Sequence, residues 1–210
     1  MIAKNNYAWL PQHRTARKSP GKKIFQIQVA LLGTSPPIWR RLQVPAEIRL
    51  ADLHEVLQVA MGWTDYHMHA FRCRGKWYGS TDPEQGGPEM IDESEVQLAE
   101  VLVRHDVPIV YIYDLGDSWH HGVKLEKRLP FDPHLAYPVC TDGEGACPPE
   151  DCGGIPGFYG LLEAIRNPQE PHNKEILEWK GKGYHPKAFS IEAINQRLPG
   201  RRMRVGESSH

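Results

Sequence analysis

Strict alternation of apolar and polar residues begins at Lys23. In KIFQIQVALL (23–32), Phe25, Ile27, Val29 and Leu31 share one face, the period of a half-buried strand. Pro36-Pro37 interrupts the run. IWRRLQV then repeats it, with Ile38, Leu42 and Val44 on one face and Arg40 among them. The short connection predicts antiparallel pairing of the two. LADLHEVLQVAMGW changes the period: Leu50, Leu53, Val56, Leu57, Ala60 and Met61 recur at helical spacing, and Gly62 is placed to stop the helix. HMHAFRC and KWYG predict two short strands turning around Gly75. Residues 80–96 predict a surface loop, and 97–104 a short helix. PIVYIYD is enriched in β-branched and aromatic residues, as strands are. After a turn at 115–117, WHHGVKLEK alternates with Trp119, His121, Val123 and Leu125 on one face. Residues 129–156 are too rich in Pro and Gly for regular structure. Helices follow over 157–166, about 172–180, and from an N-cap at Ser190 to near Leu198. Strands come early and helices cluster late. The expected fold is α+β: a mixed, mainly antiparallel sheet with helices packed on it, in a single domain.

The domain spans 23–198 on this pattern, between a basic arm (1–22) and a basic tail (199–210). Charge separates them. Of 25 basic residues ten lie outside 24–196, whereas Glu207 is the one acidic residue of 26 found there. The body is left with 15 basic against 25 acidic residues, near −10. Such a surface repels nucleic-acid phosphates, so contact with nucleic acid is expected through the tails alone. No apolar run reaches the roughly 18 residues that span a bilayer, and MIAKNNYAWLPQHR lacks the apolar region of a secretory signal. A cytoplasmic location without membrane contact is expected.

Three of the four cysteines crowd into PVCTDGEGACPPEDCGG, as Cys140, Cys147 and Cys152. A long irregular loop needs something to order it. Zinc held by three thiolates and one imidazole is one answer, and strand alternation places His121 inward as the fourth ligand. Half-buried thiols held by proline- and glycine-driven turns are the other. A second candidate site lies upstream. His67 and His69 share a strand face at i, i+2, where two imidazoles can share a metal or be ordinary surface histidines. In YDLGDSW, Asp114 and Asp117 beside Trp119 are either a carboxylate pair for acid/base or metal chemistry, or turn residues. The chain carries no G-x-S-x-G elbow, phosphate loop, dinucleotide fingerprint or H-E-x-x-H.

SPPIWRRLQVP, LADLHEVLQVAMGW, HMHAF, YDLGDSWHH, CTDGEGACPPEDCGG, GFYGLLEAI and LEWKGKGYHPKAF together resemble the plasmid pRiA4b ORF-3-like family, in the order expected of it. The resemblance covers roughly residues 24–198. It implies an α+β domain carried on plasmids, mobile elements and chromosomes, without an assigned activity. The family's Tyr-Asp-x-Gly-Asp-x-Trp-x-His motif aligns its last histidine with His121. Its CPPED segment often has another residue where this chain has Cys152, so the resemblance alone implies no Cys3His site. The expected function is a non-enzymatic accessory or interaction domain docking a protein partner. A metal-dependent, hydrolase-like enzyme built on the His/Cys/Asp residues is the alternative, and a nucleic-acid-associated protein acting through basic tails the second.

Overall fold

The computed structural model describes residues 22–80, 89–105, 107–180 and 183–198. Nearly all of the arm and the whole of the tail expected from sequence lie outside these residues. Among the described residues eight strands form one sheet: β1 (Lys23–Leu31), β2 (Ile38–Pro45), β3 (His69–Cys73), β4 (Lys76–Gly79), β5 (Met90–Asp92), β6 (Ile109–Tyr113), β7 (Trp119–Pro130) and β8 (Val139–Glu144). Their order across the sheet is β5-β4-β3-β6-β7-β1-β2-β8. All neighbours are antiparallel except β4 and β5. Among the described residues five helices complete the fold: α1 (Leu50–Met61), α2 (Leu98–Val101), α3 (Gly154–Arg166), α4 (Pro171–Lys180) and α5 (Ile191–Arg197). The expected α+β architecture is the observed one.

Register explains where the core sits. Val29 pairs with Arg40 on one side and Val123 on the other, Leu31 with Ile38 and His121, and His121 in turn with Tyr111. Tyr113 stands between His69 and Trp119. These side chains share one face, and α1 covers it. Leu50, Leu53, Val56, Leu57, Ala60 and Met61 of α1 are buried, as their spacing predicts. Gly62 closes the helix in the left-handed conformation (φ 97°) that favours glycine. Buried Arg40 ties three elements together. Its guanidinium donates to Ala60 O on α1 (2.8 Å), Trp39 O (2.8 Å), Glu144 O (2.9 Å) and Gly145 O (2.8 Å). Burial pulls its pKa below the ordinary arginine range. On the opposite face Arg41 pairs with Glu126 and Asp142, both at 2.6 Å and partly solvated, so each pair contributes little.

Two elements depart from expectation. β8 forms inside the stretch read as irregular, because its backbone pairs with the free edge of β2, Leu42 opposite Cys140. β5 forms inside the expected surface loop by parallel pairing with β4. Neither segment has an apolar alternation of its own. Tertiary edge pairing, not local pattern, makes both strands.

Candidate functional site

Three turns meet at one end of the sheet. The first leaves α1 and runs from Gly62 to Met68. The second joins β6 to β7 at 114–118. The third precedes α3, at 148–153. Short hydrogen bonds fasten them together. Trp63 Nε1 donates to Pro148 O (3.1 Å), Asp114 N to Met68 O (2.9 Å) and Gly153 N to Asp117 Oδ2 (2.9 Å). Gly154 (φ 64°) is needed at this junction: a Cβ there would lie 2.6 Å from Asp117 O. Of the five non-glycine residues at positive φ among the described residues, four are Asp65, Asp114, Ser118 and Asp151, all in or beside these turns. Conformational cost is concentrated where the turns converge.

The convergence builds a histidine-carboxylate nest. His67 Nε2 faces Asp151 Oδ1 at 3.2 Å, Asp114 Oδ2 at 3.6 Å and Glu150 Oε2 at 3.8 Å. That nitrogen is shielded from solvent yet makes no hydrogen bond. Asp114 is buried and spends its other oxygen on the turn, accepting from Gly116 N (2.9 Å) and Asp117 N (3.2 Å). Asp114 therefore serves the turn through one oxygen and faces His67 with the other. Glu150 is fixed by Thr64 N (3.0 Å), Thr64 Oγ1 (3.1 Å) and the Tyr113 hydroxyl (3.2 Å). Burial first, and Glu150 second, push the Tyr113 hydroxyl pKa up to about 12, which keeps it a donor. Asp151 stands on the solvent side, with 74 % of its side chain exposed. Tyr66 (83 %), Leu115 (51 %) and Met68 (50 %) are exposed apolar side chains on the same two turns.

A second cluster adjoins it through residues 65–69. His54 of α1 and His69 of β3 stack face to face, 3.4 Å between ring centres and 4° between planes. His54 Nε2 meets Asp65 Oδ1 at 2.8 Å, and His69 Nε2 meets Glu93 Oε1 at 3.0 Å. His54 Nδ1 lies 2.7 Å from the Tyr111 hydroxyl, which also accepts from Gln58 Nε2 (2.9 Å). Burial and the neighbouring His69 lower the His54 pKa.

Among the described residues, two groups place three donor atoms within 4.8 Å of one another: His67 with Asp114 and Asp151, and His54 with Asp65 and His69. Neither contains a cysteine. Cys140, Cys147, Cys152 and His121 do not converge as the sequence suggested, and topology supplies the reason. Cys140 lies on β8, three strand spacings from the β7 of His121, or roughly 14 Å at about 4.8 Å per spacing. His121 is fully buried, its Nδ1 3.3 Å from Tyr111 O and its Nε2 without a hydrogen-bond partner. Desolvation lowers its pKa to about 3. Burial pushes the Cys147 thiol up to about 12. The second candidate set divides. His67 and Asp114 enter the nest; His69 turns to the other cluster, so the two histidines do not share one group. Asp117 braces Gly153, and Trp119 is buried core beneath the turns. Asp65, Glu150 and Asp151 escaped the sequence reading. A visible signal was the acidic pair directly after Pro148-Pro149, passed over for the flanking cysteines.

Fold and nest define an α+β domain with acidic, histidine-bearing turns gathered at one end of its sheet. The chain belongs to the family described as Plasmid pRiA4b ORF-3-like protein, which matches residues 23–193. Its relatives include the uncharacterised protein y4hQ of Sinorhizobium fredii, 38 % identical over 176 residues, or 82 % of this chain and 89 % of that one. A crystal structure of a protein of unknown function from Methanosarcina mazei Go1 superposes with a TM-score of 0.74 at 31 % identity. It covers 82 % of this chain and 98 % of the other. No helix among the described residues is long and apolar enough to cross a membrane.

Proposed function

We propose that this chain is a divalent-cation-binding accessory domain, with the ion held by His67, Asp114, Asp151 and Glu150. The observation that carries this is His67 Nε2, shielded and without a hydrogen bond, facing three carboxylate oxygens at 3.2–3.8 Å. Two ligands each about 2.1 Å from one ion stand about 3.0–3.4 Å apart, so modest closure completes the set. One nitrogen with three oxygens suits the harder dications, Mn2+ or Mg2+. Tyr66, Met68 and Leu115 flank the ion on the exposed side and give a partner apolar contact. Calorimetric titration with Mn2+ tests the proposal. One site is expected in the native chain, with loss of at least 30-fold in affinity in His67→Ala and Asp151→Asn. Equal binding by all three proteins contradicts it.

One observation favours a metal-dependent hydrolase instead. A groove of about 310 Å³ runs past Trp63, Cys147 and Tyr184 and reaches Glu150, offering room for a small substrate beside the ion. Mn2+-dependent turnover in a screen of phosphoester and amide substrates, abolished in His67→Ala, would select the enzyme. Intact Mn2+ binding without turnover selects the accessory domain.

A further inference from the structure

We infer that the groove between the C-terminal end of α1 and α5 binds a small organic anion, a carboxylate carried on an apolar body. The groove holds about 580 Å³, a size suited to a small ligand. Val59 and Met61 of α1, Phe189, and Ile194 of α5 supply its apolar lining. Its charge is one-sided. Arg40, His185 and Arg197 line it, and no carboxylate among the described residues does. The body around it carries 15 basic against 25 acidic residues, so a lining charged only by cations runs against the rest of the domain. Such a lining attracts an anion that the surrounding surface repels.

Arg40 sets the charge of the ligand. It is 3 % exposed, and its Cζ lies 4.7 Å from the centre of the Phe189 ring, which shields it from water. Its hydrogen bonds to Ala60 O, Trp39 O, Glu144 O and Gly145 O occupy four of the five N–H groups that a guanidinium has. All four acceptors are neutral carbonyls. Neither Arg40 nor Arg197 enters an ion pair among the described residues. A full positive charge therefore stands in the core without a counter-ion, and burial already draws its pKa down. One anion at the floor of the groove answers that charge. Arg197, exposed in the last turn of α5, stands on the rim to close on the same anion. The planar donor fork of a guanidinium matches a carboxylate. Past Cys147 and Tyr184 the groove continues to Glu150, so the anionic head belongs at the arginine end and the apolar body between.

The probe is octanoate, titrated into the full chain by calorimetry, with octylamine hydrochloride and octanol as the cationic and neutral counterparts of the same tail. Octanoate is expected to bind at one site, about tenfold or more tighter than either counterpart. Ala193→Trp, which fills the groove from α5, should abolish that binding. Arg197→Glu, which reverses the charge on the rim, should weaken it by about tenfold or more. Both positions are exposed, so both variants are expected to fold, as circular dichroism will check. The inference is wrong if octanoate does not bind, binds no better than octanol, or binds both variants as it binds the native chain. Arg40 is then only a strut joining α1, β2 and β8. The groove stands apart from the nest around His67. His67→Ala should leave the octanoate isotherm unchanged, and a chain that binds no Mn2+ should still bind octanoate.

Discussion

Cys140, Cys147 and Cys152 lie within 13 residues of chain, while His67, Asp114 and Glu150-Asp151 come from three distant segments. Space reverses the relation. Cys140 is carried away on the edge strand β8, and no disulfide joins the thiols, two of which are buried. The dispersed histidine and acids meet at 3.2–3.8 Å because β3, β6 and β7 are neighbours and end at the same level, and because Asp117 and Trp63 tie the turn before α3 to that end. The three turns therefore share one small volume. A residue cluster along the chain signals shared local backbone; a cluster in space is made by strand order. The second kind brings His67 and its acids together here.

Trp119 carries the largest expected effect. It is fully buried, opposite Tyr113 on β6 and beneath both turns. Trp119→Ala is expected to cost about 3–5 kcal/mol by cavity formation. Urea denaturation will measure this, and cation binding at the turns should fall with it while β8 retains its pairing with β2.

His121 gives the next largest effect, through pH. Its folded pKa of about 3 lies below the unfolded value of about 6.5. Between these values the unfolded chain binds the proton more readily. Stability contributed by neutral His121 is therefore present above pH 6.5 and lost as pH falls towards 3, by up to about 1.4 kcal/mol per pH unit. Urea unfolding from pH 7 to 4 in metal-free buffer should show a steeper decline in the native chain than in His121→Phe. Parallel declines contradict the assignment.

Tyr113→Phe sharpens the account of the nest. It removes the hydroxyl that donates to Glu150 at 3.2 Å and touches no other carboxylate of the nest. Outer-shell losses of this kind typically lower metal affinity about 10-fold or more. The expected result is a tenfold weaker Mn2+ isotherm with stability changed by less than the Trp119 variant. On the cysteine side, the smallest effect is expected. Cys147→Ala should shift stability by about 1 kcal/mol and leave Mn2+ affinity unaltered. With its thiol held up to about 12, Cys147 should also react slowly with iodoacetamide at pH 8. Rapid alkylation would show that the segment opens.

The alternation of Phe25, Ile27, Val29 and Leu31, and of Trp119, His121, Val123 and Leu125, was readable because each face is buried under α1. α1 and its Gly62 stop were readable for the same reason, as was the Ser190 cap, whose hydroxyl accepts from Ala193 N at 3.1 Å. β5 and β8 were not, since edge pairing leaves no period in the sequence. At the site, His67 and Asp114 stood out as residue types, but not their partners. Nothing local to Asp65 or to Glu150-Asp151 records that β6 and β7 place 114–118 beside them. The split between His67 and His69 was hidden for a related reason. His67 precedes β3 and is turned by Tyr66, whose N donates to the Tyr113 hydroxyl at 3.2 Å, so strand alternation does not reach it.

A crystal grown in Mn2+ and measured at the manganese absorption edge tests whether the nest around His67 holds a cation. The account predicts one anomalous peak within about 2.0–2.2 Å of His67 Nε2 and of oxygens from Asp114 and Asp151, with Glu150 drawn in from its present 3.8 Å separation. A well-ordered nest with no peak at saturating Mn2+, or a peak on the cysteine segment instead, would contradict it.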